Sequence, residues 1–183
     1  MRPVRYNVAA SLDGYIAGPH GEYDWIPEDP AIDFATLFAR VDTVLLGRRS
    51  YELVRQTGGG PWAPGARVYV FSRTLGATDH PGVTDHPGVT VVADDAPAVV
   101  AALRAEPGNG EIWLFGGGAL FGSLLAAGQV DRVEVTVAPV LLGGGVPLLP
   151  PGGAARAALT LCHTHTYPSG MVTLTYDVAG ARR

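Results

Sequence analysis

Three consecutive glycines, Gly116-Gly117-Gly118, stand between an apolar run, Glu111-Ile112-Trp113-Leu114-Phe115, and a segment in which Leu120, Leu124 and Leu125 fall at helical spacing before Gly128. The run reads as a strand, the segment as a helix, and Val133-Glu134-Val135-Thr136-Val137 as the next strand. Glycines in such a turn let the backbone approach a ligand closely, and the free N–H groups of the new helix attract an anion. A nucleotide phosphate or pyrophosphate is the natural occupant. The spacing nearly matches the dinucleotide fingerprint: Phe121 stands where the third glycine belongs, and a start at Gly117 puts Ala119 in the second position. The triplets Gly58-Gly59-Gly60 and Gly143-Gly144-Gly145 are open to a plain turn reading, but only the triplet at 116–118 joins a strand to a helix.

The cations that could complement such an anion are arginines, because the chain contains no lysine. Arg48-Arg49 opens a segment that reads as a helix, where a cation opposes the helix dipole unless an anion binds beside it. Arg73 follows Ser72 at the end of another apolar run. For proton chemistry the acids to consider are Asp33, in the first turn of an expected helix, and Asp13, which also reads as a turn residue before Gly14. Trp25 lies in a loop, able either to close a pocket or to cap the core. His163 and His165 share one strand face; without a third ligand they read as packing or surface residues.

The elements that must position these residues alternate in type. Val4–Ser11 reads as a first strand, residues 12–29 as a Gly/Pro-rich loop, and residues 30–40 as a helix with Phe34, Leu37, Phe38 and Val41 on one face. Residues 43–46 form a continuous apolar strand, as expected where both faces are covered, and Arg48–Gln56 a helix. Strands follow at residues 67–72 and Val89–Val92, and a helix at Ala96–Ala105. After the glycine unit comes a Gly/Pro-rich connection at 139–155. The last elements are a hairpin of residues 159–167 and 171–178, turned at Ser169-Gly170. The result is one α/β domain over residues 1–183, with a mixed, mostly parallel sheet, helices on both faces and a C-terminal antiparallel hairpin. In such sheets ligands gather beyond the carboxyl ends of the strands, where Ser11, Gly47, Ser72 and Gly116 stand. Between the third and fourth strands Thr78-Asp79-His80-Pro81-Gly82-Val83 is repeated at once as Thr84-Asp85-His86-Pro87-Gly88-Val89. This reads as a tandem duplication in a surface loop.

Composition sets the bounds. With 183 residues, 47% hydrophobic and 16% charged, the chain is long and apolar enough for a substantial core. A formal charge of −4 and the absence of a basic cluster argue against a nucleic-acid or membrane surface. A single cysteine, Cys162, excludes an internal disulfide framework. No apolar run reaches spanning length, so a cytoplasmic location is expected. Low charge, an apolar hairpin (Leu159, Leu161, Val172, Leu174) and an apolar connection (Leu141, Leu142, Leu148, Leu149) lead us to expect a two-fold homodimer.

Five motifs in this order resemble the dihydrofolate reductase superfamily. They are Ala9-Ala10-Ser11-Leu12-Asp13-Gly14-Tyr15-Ile16-Ala17-Gly18, Leu45-Leu46-Gly47-Arg48-Arg49-Ser50-Tyr51-Glu52, Phe71-Ser72-Arg73, Phe115-Gly116-Gly117-Gly118 and Ala138-Pro139-Val140-Leu141-Leu142-Gly143-Gly144-Gly145. The branch they resemble most is the stand-alone relatives of the bacterial riboflavin-biosynthesis reductase domain. The resemblance implies a dihydrofolate-reductase-like three-layer fold that binds NADPH and transfers a hydride to a small heterocyclic or carbonyl substrate. It implies that Ala10, Ala17 and Gly18 border the nicotinamide and that Gly47, Arg48, Arg49 and Ser50 hold phosphates. Ser72 and Arg73 would hold the adenosine end, and Gly116, Gly117, Gly118, Ala119, Leu120 and Phe121 would cover the pyrophosphate. Asp33 would do the substrate-side work, with Thr136 as its hydroxyl partner, and Trp25 would close the substrate pocket. It also leads us to expect a cis bond between Gly116 and Gly117, where paired glycines minimise the clash. Two other readings stay open: the riboflavin-pathway reductase of a phosphoribosylamino-pyrimidine, and a nucleotide-binding protein without the chemistry.

Overall fold

Val44, Leu45 and Leu46 form an unbroken apolar run and are fully buried in one strand, so side chains on both of its faces are covered there. A computed structural model describes residues 1–75, 89–93, 95–152 and 156–180. Its strands are β1 (Val4–Ser11), β2 (Tyr15–Ala17), β3 (Val41–Gly47), β4 (Arg67–Phe71), β5 (Val89–Val92), β6 (Glu111–Gly116), β7 (Arg132–Ala138), β8 (Val146–Pro147), β9 (Leu159–Thr166) and β10 (Val172–Val178). Its helices are α1 (Phe34–Phe38), α2 (Arg48–Gln56), α3 (Ala96–Ala105) and α4 (Gly118–Ala126). Eight strands form one sheet in the order β5-β4-β3-β6-β1-β7-β10-β9; every neighbouring pair from β5 to β7 is parallel, and the β10–β9 hairpin is antiparallel. The predicted α/β class with a mixed, mostly parallel sheet is therefore observed.

Helices lie on both faces because the apolar stripes do. On one face Val100 and Leu103 of α3 and Leu120, Phe121 and Leu124 of α4 pack on Val4, Tyr6, Leu45, Ile112 and Leu114. On the other, Phe38 of α1 and Tyr51 and Val54 of α2 pack on Val44, Leu46, Val68, Val70 and Trp113. Phe121 stacks on Tyr6 at 4.0 Å and Phe38 on Trp113 at 4.0 Å, pairs that add about 0.5–1.5 kcal/mol each beyond their area. At the amino edge of the strands the buried Arg104 pairs with Asp131 at 2.7 Å, and the buried Arg2 pairs with Asp42. Those charges sit at the edge opposite the carboxyl ends of the parallel strands.

Three local expectations change. The helix predicted over residues 30–40 is only α1, because Asp33 caps it: its carboxylate accepts the Thr36 N–H at 3.0 Å. Val41, counted on that helix face, belongs to β3. Residues 12–29 and 139–155 are not the continuous loops that their Gly/Pro content suggests. Instead Tyr15–Ala17 and Val146–Pro147 pair as a second, two-stranded antiparallel sheet. The duplicated segment falls outside the described residues apart from Val89.

Candidate functional site

The carboxyl ends of β1, β3, β4 and β6 place Ser11, Gly47, Ser72 and Gly116 along one edge of the sheet. At its centre two strand-to-helix turns touch. Gly47 is the N-cap of α2 and Gly117 the N-cap of α4. A methyl group on Gly117 would lie only 3.6 Å from the Cα and N of Gly47, and one on Gly116 would lie 3.1 Å from Ser50 Oγ. Neither helix has a side-chain cap or an acidic residue in its first turn. Two adjacent helix N-termini thus present N–H groups and positive dipole ends with no carboxylate in either first turn to answer them.

The expected cis bond is not there: no cis peptide occurs among the described residues, and Gly116–Gly117 is trans. The chain bends instead through Gly117 itself, at φ +103° and ψ 101°, a conformation that glycine reaches freely and L side chains rarely adopt. The sharp turn is real and its cause is a dihedral, not an isomer.

Gly118, the first residue of α4, is buried under the end of β8 and the residues that follow it. A methyl group there would stand 2.6 Å from the Pro147 carbonyl oxygen and 3.1 Å from that of Leu148. Of the other residues assigned to the pyrophosphate, Ala119 is exposed, whereas Leu120 and Phe121 turn their side chains into the core. The Phe121 N–H is spent on the Gly117 carbonyl at 2.9 Å. These two residues can build the helix end but offer it no side chain.

The arginines flank this turn pair. Arg48, Arg49 and Arg73 are exposed. Arg48 makes only a long i,i+4 contact with Glu52 at 3.8 Å, and Arg49 and Arg73 make no ion pair among the described residues. Ser72 Oγ accepts the N–H groups of Thr74 at 3.2 Å and Leu75 at 2.9 Å, which shapes the turn carrying Arg73.

On the β1 side, Ala10 is buried near the strand end, Ala17 ends β2 and Gly18 follows it. Sequence reasoning missed what holds them. The Asp13 carboxylate accepts Ser11 Oγ at 2.6 Å, the Leu142 N–H at 3.1 Å and the Gly143 N–H at 2.7 Å. The Leu148 N–H bonds the Gly14 carbonyl at 2.9 Å, and Gly145 packs against the backbone of Ala17 and Gly18. The 139–150 connection is therefore a strap, clasped to the β1–β2 turn at one end and resting on Gly118 at the other. Its signal in the sequence was the pairing of Ser11-x-Asp13-Gly14 with a third glycine triplet.

The hydrogen bond from Ser11 first, then those of Leu142 and Gly143, hold the Asp13 carboxyl at about 2, so it stays ionised and is no proton donor near neutrality. A depressed folded pKa contributes stability above the unfolded value near 3.8, lost as pH falls through about 2. Asp13→Asn is accordingly expected to melt below wild type by a margin that is constant from neutral pH to the ordinary aspartate range and closes below it. A margin independent of pH across that window would show that the carboxylate charge is not what clasps the strap.

Asp33 and Thr136 are not brought together as a pair. The exposed Asp33 carboxylate accepts Thr36 Oγ1 at 2.6 Å as well as the Thr36 N–H, and the hydroxyl bond first, then the backbone bond, holds it below the usual carboxylate range. Thr136 Oγ1 shares a 2.7 Å hydrogen bond with Thr173 Oγ1 of β10. The missed signal is the Asp33-x-x-Thr36 spacing, a helix cap. Trp25 is half-buried, its indole N–H donating to the Glu22 carbonyl at 2.9 Å. His163 and His165 occupy one face of β9 opposite Thr175 and Thr173, and His165 packs edge-on against Tyr167 at 4.5 Å.

Residues 2–173 match the RibD C-terminal domain, nearly the whole chain. The chain belongs to that family, a riboflavin-pathway type of reductase domain. It is 32% identical to the uncharacterised protein YyaP of Bacillus subtilis (strain 168), over 98% of this chain and 97% of that one. It is 30% identical to the riboflavin biosynthesis protein RibD of Mycobacterium tuberculosis, over 78% of this chain but only 44% of that longer protein. Among solved structures, a Shewanella sp. PV-4 protein assigned to riboflavin biosynthesis superposes with a TM-score of 0.80 at 28% identity, over the full length of both chains. The resemblance to the riboflavin-pathway reductase branch is thereby established.

Proposed function

We propose that the chain is an NADPH-dependent reductase that transfers a hydride to a small heterocyclic or carbonyl substrate. The observation that carries this is the pair of touching, uncapped helix N-termini at Gly47 and Gly117, with Arg48, Arg49 and Arg73 beside them. That arrangement fits a pyrophosphate and a further phosphate: glycines allow backbone approach, first-turn N–H groups have no partner within their own helix, and no carboxylate of the first turns competes. In this reading Gly116, Gly117, Gly118 and Ala119 hold the pyrophosphate through backbone, while Gly47, Arg48, Arg49 and Ser50 complete it. Ser72 and Arg73 take the adenosine end, and Ala10, Ala17 and Gly18 line the nicotinamide. The cofactor, when bound, supplies the hydride; the protein orients it and keeps the acceptor in register.

On the substrate side we place Asp33 as an ionised acceptor for ring N–H groups rather than an acid, since its carboxyl is held in the charged form. The adjacent Phe34 is 55% exposed and begins a run of rings through Phe38 to Trp113. A carboxylate beside an open aromatic face suits a planar heterocycle better than an aliphatic carbonyl compound.

Two measurements test the proposal. NADPH is expected to raise the melting midpoint, because a ligand specific to the folded state stabilises it. A screen of heterocyclic and carbonyl compounds is expected to yield one whose addition consumes nicotinamide absorbance. With that substrate, Asp33→Asn should leave the melting point nearly unchanged, because asparagine caps a helix as well as aspartate does. It should lower kcat/KM by about ten- to a hundredfold, the effect of losing one charged hydrogen bond. An unshifted midpoint removes the cofactor assignment. A shifted midpoint with no turnover favours the binding protein that lacks the chemistry.

A further inference from the structure

The carboxyl edge of the sheet is divided by charge. On one side stand the exposed Arg48, Arg49 and Arg73. On the other lie β1, β7 and α1 with the segment that leads into it. Residues 6–39 contain no lysine or arginine but six carboxylates, Asp13, Glu22, Asp24, Glu28, Asp29 and Asp33. In β1, Tyr6, Val8 and Ala10 pack toward α3 and α4, so Arg5, Asn7 and Ala9 alternate with them onto the α1 face. Arg5 is 12% exposed there and already spent: it donates to the Leu37 carbonyl at 2.6 Å and pairs with Glu111 at 3.3 Å and Glu134 at 4.0 Å. Arg40 follows α1 at the amino edge, 3.8 Å from Glu111. His20 and His165 stand beside Glu22 and Asp29. The start of α1 is answered by its own Asp33 carboxylate, whereas the starts of α2 and α4 have no such cap.

Resting on the reductase reading above, we propose that the acceptor is a planar heterocycle that carries no phosphate, uncharged or cationic, and that this chain excludes phosphoribosyl compounds. A phosphate is held by arginine, lysine or a helix start with free N–H groups. Among the described residues none of these stands unspent beside α1, and those across the edge are taken by the phosphates of the cofactor in the same reading. An acceptor phosphate entering beside α1 therefore approaches fixed negative charge with no guanidinium to neutralise it, a repulsion worth about tenfold or more in affinity. A ring without that phosphate meets the Asp33 oxygens and the open face of Phe34 free of the penalty.

Calorimetry on the whole chain tests this in two stages. NADP⁺ is titrated first; its failure to bind overturns the cofactor reading and this proposal with it. With NADP⁺ saturating, and so with no hydride to transfer, matched pairs are then titrated: an aminouracil riboside and the same compound phosphorylated on its ribose, and a hydroxymethylpterin and its phosphate ester. At least one phosphate-free compound is expected to bind, about tenfold or more tighter than its ester, with a gap that shrinks as salt is raised. Asp24 is exposed and makes no ion pair among the described residues. Asp24→Lys is expected to bind NADP⁺ as wild type does and to narrow the gap by roughly three- to fivefold, the effect of exposed charges. With NADP⁺ bound, an ester that binds as tightly as its parent, no binding by any phosphate-free compound, or a gap indifferent to salt or to Asp24→Lys would each overturn the proposal and leave the cofactor reading standing.

Discussion

NADPH is expected to raise the melting midpoint more than NADH does, and the gap is expected to close in a protein carrying both Arg48→Ala and Arg73→Ala. The two cofactors differ only by a phosphate on the adenosine ribose. Discrimination must therefore come from groups at that end that are cationic and not already spent. Arg49 and Arg73 make no ion pair among the described residues, and the Arg48 contact with Glu52, at 3.8 Å between groups 45% and 32% exposed, is too long and too wet to hold its guanidinium. Arg73 sits on the turn that Ser72 shapes at the end of β4. Charge-assisted hydrogen bonds to one phosphate are worth roughly 1.5–3 kcal/mol, or about ten- to a hundredfold in affinity. Because the arginines are exposed, the preference should weaken as salt is raised. Equal binding of the two cofactors in wild type, or a preference that survives both substitutions, refutes the assignment of these arginines to the additional phosphate.

The parts of this site that were legible in the sequence are those built from a strand end and a glycine. Apolar runs identified β3 and β6, and the glycine triplet after β6 identified the turn into α4. What was hidden depends on contacts between distant segments. Asp13 is an unremarkable turn acid until Leu142 and Gly143 fold onto it, 129 and 130 residues away. The two-residue β8 has no periodicity to read, since pairing with β2 alone defines it. Only the cap role of Asp33 shows in its contacts, and a residue that caps a helix and one that faces a substrate look alike in sequence. The side chains of Leu120 and Phe121 went to the core for the same reason that made α4 legible: its apolar stripe is needed under the sheet.

Gly118→Ala is expected to lower the melting point and weaken NADPH binding together, although alanine is the better helix former. Gly118 is helical, and there an alanine gains roughly 1 kcal/mol of propensity over glycine. Against this, the added methyl would sit 2.6 Å from the Pro147 carbonyl oxygen, 3.1 Å from that of Leu148 and 3.2 Å from Pro150 Cδ. Two of these are backbone atoms that cannot rotate away, so α4 or the strap must move, and overpacking of this kind costs roughly 1–3 kcal/mol. The steric term wins. The displacement falls on the strap that Asp13 clasps and that Gly145 presses against Ala17 and Gly18, so its effect reaches both the turns proposed for the pyrophosphate and the residues proposed for the nicotinamide. Two further substitutions separate the causes. Gly117→Ala has room, its nearest neighbours lying at 3.6 Å, but must hold φ +103°, so its penalty of about 1–3 kcal/mol is conformational. Gly144→Ala, in the same strap with nothing within 4 Å and no positive φ, should be silent. A Gly118→Ala protein that melts at or above wild type would mean that the strap yields freely and does not hold the α4 terminus in place.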